Sequence, residues 1–116
     1  MIVQDLAQLE GFTTQYMGNG SQQIQDAYTG DLLSDVMGNA PAESVLITIQ
    51  AHKNTVAVAS LAGIRALVIC NNRSIPSDML QAAKDEGIAI FTTAATQFEA
   101  SCRIAAALGR INAGKD

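Results

Sequence analysis

The chain lacks most of the features that would declare a function at once. It has two cysteines, Cys70 and Cys102, with no C-x-x-C pair, and one histidine, His52. So sparse a set of soft ligands makes no zinc pattern, and neither a metal nor another cofactor is expected. No apolar run approaches the 18 or so residues that a membrane span requires. Phosphate-binding loops are missing as well. Gly114-Lys115 follows Gly109 at the glycine spacing of a P-loop, but Asp116 stands where Ser or Thr is needed, and Gly18-Asn19-Gly20-Ser21 has no third glycine for a dinucleotide fingerprint. ATP-driven kinase chemistry therefore has no seat here. Internal repeats and low-complexity segments are absent too.

What is present describes a folded domain. Of 116 residues, 48% are hydrophobic and only 16% charged, which excludes a disordered tail and is enough for one core over residues 1–116. The net charge of −4 gives nonspecific nucleic-acid binding no electrostatic footing. Residues 1–64 hold six acids and one base, Lys53, whereas 65–116 hold five acids and six bases. Both cysteines sit in apolar runs and no signal-peptide pattern is visible, so a reduced, cytoplasmic setting is expected.

The apolar pattern divides the chain into elements. IVQDLAQLE reads as a short helix, and FTTQYMGNGSQQIQDAY as a hairpin about the Asn19-Gly20 turn. DLLSDVMGNA reads as a helix with Leu32, Leu33, Val36 and Met37 on its apolar side, stopped by Gly38 and Pro41. From Ser44 the order becomes regular: strands at 44–50, 64–70 and 88–93, and helices at 53–63, 76–87 and from Thr96 to about Ala107. Strands apolar on both sides, alternating with helices, predict an α/β fold, a three-layer α/β/α arrangement with a mainly parallel sheet.

Such a sheet binds ligands beyond the carboxyl ends of its strands. Those ends carry Gln50, His52 and Asn54; then Asn71, Asn72 and Arg73; then Thr92 and Thr93, with Gly30 and Asp31 near enough to reach them. Two readings stand for each group. His52 and Asn54 either turn the chain and satisfy the free amides of the next helix, or touch a ligand. Asn71-Asn72-Arg73 either holds a carboxylate or phosphate, or is turn chemistry beside a surface cation. Thr92 and Thr93 either cap the last helix or bond a ligand. A catalytic reading would pair His52 with Cys70 as nucleophile and Asp31 as orienting acid.

Two stretches go beyond this general pattern. YTGDLLSDVMGNA (28–40) and VLITIQAHKNTVAVASLAG (45–63) resemble the DRTGG domain family, in particular its short stand-alone members. A looser match runs through PSDMLQAAKDEGIAIFTT to Phe98-Glu99, so the resemblance covers about residues 20 to 110. It implies a fold similar to the N-terminal domain of HPr kinase/phosphorylase, and a role in regulation without the kinase activity, which belongs to a separate P-loop domain. The short relatives occur beside iron-hydrogenase and redox genes, which implies a redox-metabolic protein partner. The chain departs from the name-giving motif: Gln50-Ala51-His52 stands where Gly-Asp-Arg is usual, and Cys70-Asn71-Asn72 where Thr-Gly-Gly is.

The expectation is a non-catalytic regulatory or adaptor domain with a small anionic ligand, a nucleotide or phosphorylated metabolite, at the strand-end crevice. A Cys70/His52 hydrolase or transferase and a purely structural interaction domain are the rivals. A homodimer is also expected, because the last helix carries two apolar stripes, Phe98/Cys102/Ala105 and Ile104/Leu108/Ile111, one more than a single core contact needs.

Overall fold

The computed structural model describes residues 1–111; the Gly114-Lys115 pair lies outside them. A 3-10 helix (Val3–Gln8) precedes β1 (Phe12–Tyr16) and β2 (Asp26–Thr29). Next come α1 (Leu33–Asn39), β3 (Ser44–Thr48), α2 (Lys53–Ala62), β4 (Ala66–Ile69), α3 (Ser77–Glu86), β5 (Ala89–Thr93) and α4 (Gln97–Ala107). The strands form one sheet in the order β1-β5-β4-β3-β2, parallel except for β1, which runs antiparallel to β5. The α/β class with a mainly parallel sheet is the one the alternation of elements predicts.

Three successive β-α-β crossovers step the sheet in one direction and lay α1, α2 and α3 on the same face. There Leu46, Leu67, Ile69 and Ile90 pack against Val36, Val56, Ala59, Met79 and Ala83. On the other face Val45, Ile47, Val68, Cys70 and Phe91 pack against Val3, Leu6, Ile24, Ala100 and Ile104, from the N-terminal segment and α4. Both sides of each central strand are therefore buried, which is why those strands read as unbroken apolar runs. Gly63 and Gly87 end α2 and α3 with left-handed φ of 76° and 69°, a conformation that costs a residue with a Cβ.

The expected hairpin does not form. The turn itself exists, with Asn19 Oδ1 accepting from the Ser21 amide at 3.1 Å, but β1 and β2 lie at opposite edges of the sheet. The returning arm pairs with the chain start instead: the Val3 amide donates to Gln22 O at 2.9 Å and the Ile24 amide to Met1 O at 2.8 Å. This pairing sinks Val3 and Ile24 into the core, a burial that an isolated two-stranded ribbon cannot offer. The helix at 33–39 also differs from expectation. Gly38 lies within α1, Val36 is its buried anchor, and Leu32 and Met37 are exposed, since a two-turn helix presents only one narrow stripe to the sheet.

Candidate functional site

The loops after β2, β3, β4 and β5 gather at the carboxyl edge of the sheet. The first three rise to the α1–α3 face and the last crosses to the α4 face, so the chain divides between β4 and β5. Backbone hydrogen bonds close that division: the Asn71 amide donates to Ala95 O at 3.0 Å and the Asn72 amide to Thr93 O at 2.9 Å. Both asparagines are left-handed, with φ of 61° and 57°, a region that Asn tolerates better than other residues with a Cβ. Their amides thus point inward to the neighbouring loop, while their side chains and Arg73 are exposed.

Asp31 is the hub of the edge. Its Oδ1 accepts from Thr48 Oγ1 at 2.9 Å, from the Ile49 amide at 3.0 Å and from Gln97 Nε2 at 3.0 Å, while its backbone oxygen accepts from Gln50 Nε2 at 2.8 Å. One carboxylate oxygen therefore joins the ends of β2 and β3 to the start of α4. The same helix continues antiparallel to β2, with Thr29 and Ser101 hydroxyls 2.7 Å apart and Arg110 paired to Asp26 at 2.9 Å, and so covers an edge strand that would otherwise be open. Gly30, with its amide bonded to Ile47 O at 3.1 Å, has room for a Cβ at ordinary contact distance from Tyr28. The glycine is not required there by packing.

His52 occupies the N-cap position of α2 with extended backbone, but its side chain does not cap the helix. Its Nε2 lies 3.1 Å from Gln50 Oε1, and the ring is exposed. The turn is held by Thr55, whose amide donates to His52 O at 3.0 Å and whose hydroxyl donates to Gln50 O at 2.8 Å. Side-chain capping by His52 is thus corrected, and Asn54 is exposed beside it. Capping by Thr92 or Thr93 is corrected as well. Thr93 Oγ1 accepts from the Ala95 amide at 3.1 Å, and Thr92 Oγ1 accepts from Gln15 Nε2 at 3.0 Å. The cap of α4 is Thr96, in a capping box with Glu99: the Glu99 amide donates to Thr96 Oγ1 at 3.2 Å and the Thr96 amide to Glu99 Oε1 at 3.0 Å. The bond from the Thr96 amide first, and that from the Thr96 hydroxyl to Glu99 Oε1 at 3.1 Å second, hold the Glu99 carboxyl below its ordinary pKa, and Arg103 adds to the effect.

The residue set needed for Cys-His chemistry is not assembled in activated form. Cys70 is fully buried on the α4 face, and burial, with a smaller contribution from the Asp31 charge, pushes its thiol up to about 11. An activated nucleophile requires the opposite shift. Both cysteines are free thiols. Among the described residues no group of three or more His, Cys, Asp or Glu side chains comes together to hold a metal, and no helix is long and apolar enough to cross a membrane.

The edge therefore contains a closed network around Asp31 and, outside it, an exposed fringe of His52, Asn54, Asn71, Asn72 and Arg73. The partners that sequence reasoning misses are Thr48, Gln97, Thr96 and Gln15. The Thr96-x-x-Glu99 spacing is a capping-box signal that places Gln97 at the first helical turn. Two cavities lie elsewhere, one of about 440 Å³ between α2 and α3 and one of about 350 Å³ at the amino edge near Arg65. Of the ten expected site residues only Asn54 lines either.

No protein-family model matches the chain, and no curated protein matches it by sequence. Among solved structures it is similar to the CBS and DRTGG domains of the regulatory region of Clostridium perfringens pyrophosphatase, determined in complex with the activator diadenosine tetraphosphate. The TM-score is 0.66 at 14% sequence identity, over 88% of this chain and 44% of that one. The likeness is one of fold. The chain spans less than half the length of that regulatory region, and its five-stranded, mostly parallel α/β architecture resembles part of it.

Proposed function

We propose that the chain is a non-catalytic regulatory or adaptor domain that holds a small anionic ligand, a nucleotide or phosphorylated metabolite, at the carboxyl edge of its sheet. The observation that carries this reading is the amino end of α2. Its first-turn amides receive no cap from the His52 side chain, and the imidazole stands exposed beside them. Helix starts of this kind attract anions through their free N–H groups and the positive end of the helix dipole. Arg73, exposed on the neighbouring loop, adds a fixed positive charge. The fold likeness to a regulatory region bound to a polyphosphate activator supports the same class of ligand. The inert setting of Cys70 favours binding over catalysis.

Thermal-shift and calorimetric titration with ATP, diadenosine tetraphosphate, sugar phosphates and dicarboxylates tests the reading. A ligand at a hundred times its Kd stabilises the fold by about 2.7 kcal/mol. The expected result is a saturable shift with a phosphorylated compound that His52→Ala and Arg73→Ala each weaken. Absence of a shift across all these anions overturns the proposal. The reading also includes self-association and a protein partner from redox metabolism. Phe98, 78% exposed, and the exposed Cys102 one turn on leave the second stripe of α4 uncovered, which supports a contact there.

A further inference from the structure

The Asp31 hub leaves one of its own atoms unused. Oδ1 carries three donors, Thr48 Oγ1 at 2.9 Å, the Ile49 amide at 3.0 Å and Gln97 Nε2 at 3.0 Å, whereas Oδ2 receives no hydrogen bond among the described residues. Asp31 is half-buried, and Ser44 Oγ is the one buried side-chain polar atom left unpaired among those residues, so Asp31 Oδ2 stands open to solvent. It is a carboxylate oxygen held in place and free to accept. Phe98 follows Gln97 in the first turn of α4, and its side chain is 78% exposed. Long helical side chains lean toward the amino terminus of their helix, which directs this ring to the carboxyl edge. The ring contributes little to the core, so its place there calls for another explanation.

Hydrogen bonds set these features in a row. Gln97, next to Phe98, donates to Asp31; the Asp31 backbone oxygen accepts from Gln50 Nε2 at 2.8 Å; and Gln50 Oε1 lies 3.1 Å from His52 Nε2 at the start of α2. Along the edge the order is a flat apolar ring, a free carboxylate oxygen, then the helix start with its imidazole. We infer that the ligand of this edge is a nucleotide, with its base stacked on Phe98, its ribose hydroxyls donating to Asp31 Oδ2 and its phosphates at the amino end of α2. The inference rests on the anion site proposed above for the phosphates and names the rest of the ligand. An aromatic ring accepts the face of any base, and a carboxylate is a fitting acceptor for ribose hydroxyls. Only one carboxamide, with a hydrogen bond at each end, separates Asp31 from His52, much as a ribose hydroxyl is separated from the first phosphates of its nucleotide. The three donors on Oδ1 temper the charge that the carboxylate turns toward those phosphates. A sugar phosphate or a dicarboxylate has no group for Phe98 and would fill only part of the row. Phe98 is thereby assigned to the ligand and not to a second copy of the chain.

Isothermal titration calorimetry of the full chain decides the matter, with circular dichroism confirming that each variant is folded. The probes are ATP, its dideoxy analogue lacking both ribose hydroxyls, and inorganic tripolyphosphate, which carries the phosphates alone. ATP should bind about a hundredfold tighter than tripolyphosphate, with the base and the ribose each contributing about tenfold. Phe98→Ala should weaken ATP about tenfold and leave tripolyphosphate unchanged, while Phe98→Tyr, which keeps the ring, should bind ATP as the wild type does. The dideoxy analogue should bind about tenfold more weakly than ATP, a test of Asp31 that leaves its network intact. Equal affinity for ATP and tripolyphosphate overturns the inference while the anion site survives, and a Phe98 ring sealed between two copies would give that result. ATP binding that is indifferent to Phe98→Ala, or matched by the dideoxy analogue, also overturns it. Absence of binding by all three compounds overturns the inference and the anion site together.

Discussion

Ser44 and Thr48 stand at opposite ends of β3, both fully buried hydroxyl residues, and the molecule treats them in opposite ways. Thr48 Oγ1 donates to Asp31 at 2.9 Å and accepts from the Gln50 amide at 3.2 Å. Ser44 Oγ has no hydrogen-bond partner among the described residues. The amino edge around Ser44 is finished by packing and by Arg65, whose guanidinium donates to Gln23 O at 2.8 Å and pairs with Glu43 at 3.3 Å, neither contact reaching Ser44 Oγ. The carboxyl edge around Thr48 is finished by a network that joins three segments distant in sequence. A buried hydroxyl tied into such a network positions its neighbours, whereas one left alone contributes only volume. The contrast distinguishes an edge built to hold loops in fixed relation from one that merely closes the core.

The strongest way to break the contrast is to remove the hub. Asp31→Ala strips the acceptor from Thr48, the Ile49 amide and Gln97 together. Loss of partners for two half-buried donors and one fully buried hydroxyl should lower stability by about 3 kcal/mol. Urea unfolding measures it, and a loss below about 1 kcal/mol would show that the three donors find other acceptors. Thr48→Val asks less. It keeps the shape and removes one donor while Asp31 retains two, so the expected loss is about 1.5 kcal/mol. The two effects should not add in the double variant, because they act on one network.

The contrast is only partly legible in the sequence. The alternation from Ser44 onward can be read because each central strand is apolar on both sides and Gly63 and Gly87 mark the helix ends. The first 30 residues mislead, since an Asn-Gly turn reports a local reversal and does not say which strand each arm joins; Ile24 goes to the chain start because burial is available there. At the site, Asp31 is legible as a residue near the crevice. Its partners are not, since Thr48 reads as another strand residue and Gln97 is 66 residues away. The asparagine pair is legible as turn chemistry: its left-handed backbone and inward backbone amides fix a loop, while its side chains stay exposed.

A smaller effect sharpens the picture at the start of α4, which delivers Gln97 to the hub. Thr96→Ala removes the cap and should cost about 1 kcal/mol. Glu99 completes the capping box, and its folded pKa is held below the ordinary carboxylate value. Stability from that bond is therefore present above the unfolded value and lost as pH falls through the folded one. Glu99→Gln should flatten the acid limb of the stability profile there; an unchanged limb would mean that the box does not form in solution.

The smallest effect belongs to the other end of β3. Ser44→Ala removes an oxygen that is buried and unpaired, so the native state loses no hydrogen bond and sheds a desolvation cost. Against this, the vacated volume is that of a single hydroxyl, too little to leave a costly cavity. The two contributions oppose each other, and the net change should lie within about 0.5 kcal/mol of zero, on the stabilising side if either prevails. The backbone at this position is unaffected, since Ser44 O still accepts from the Arg65 amide at 2.9 Å. A loss above about 1 kcal/mol on chemical unfolding would mean that a buried water pairs with Ser44 Oγ, and that the amino edge also carries a polar network. The same substitution would then equal Thr48→Val in cost, and the difference between the two ends of the strand would disappear.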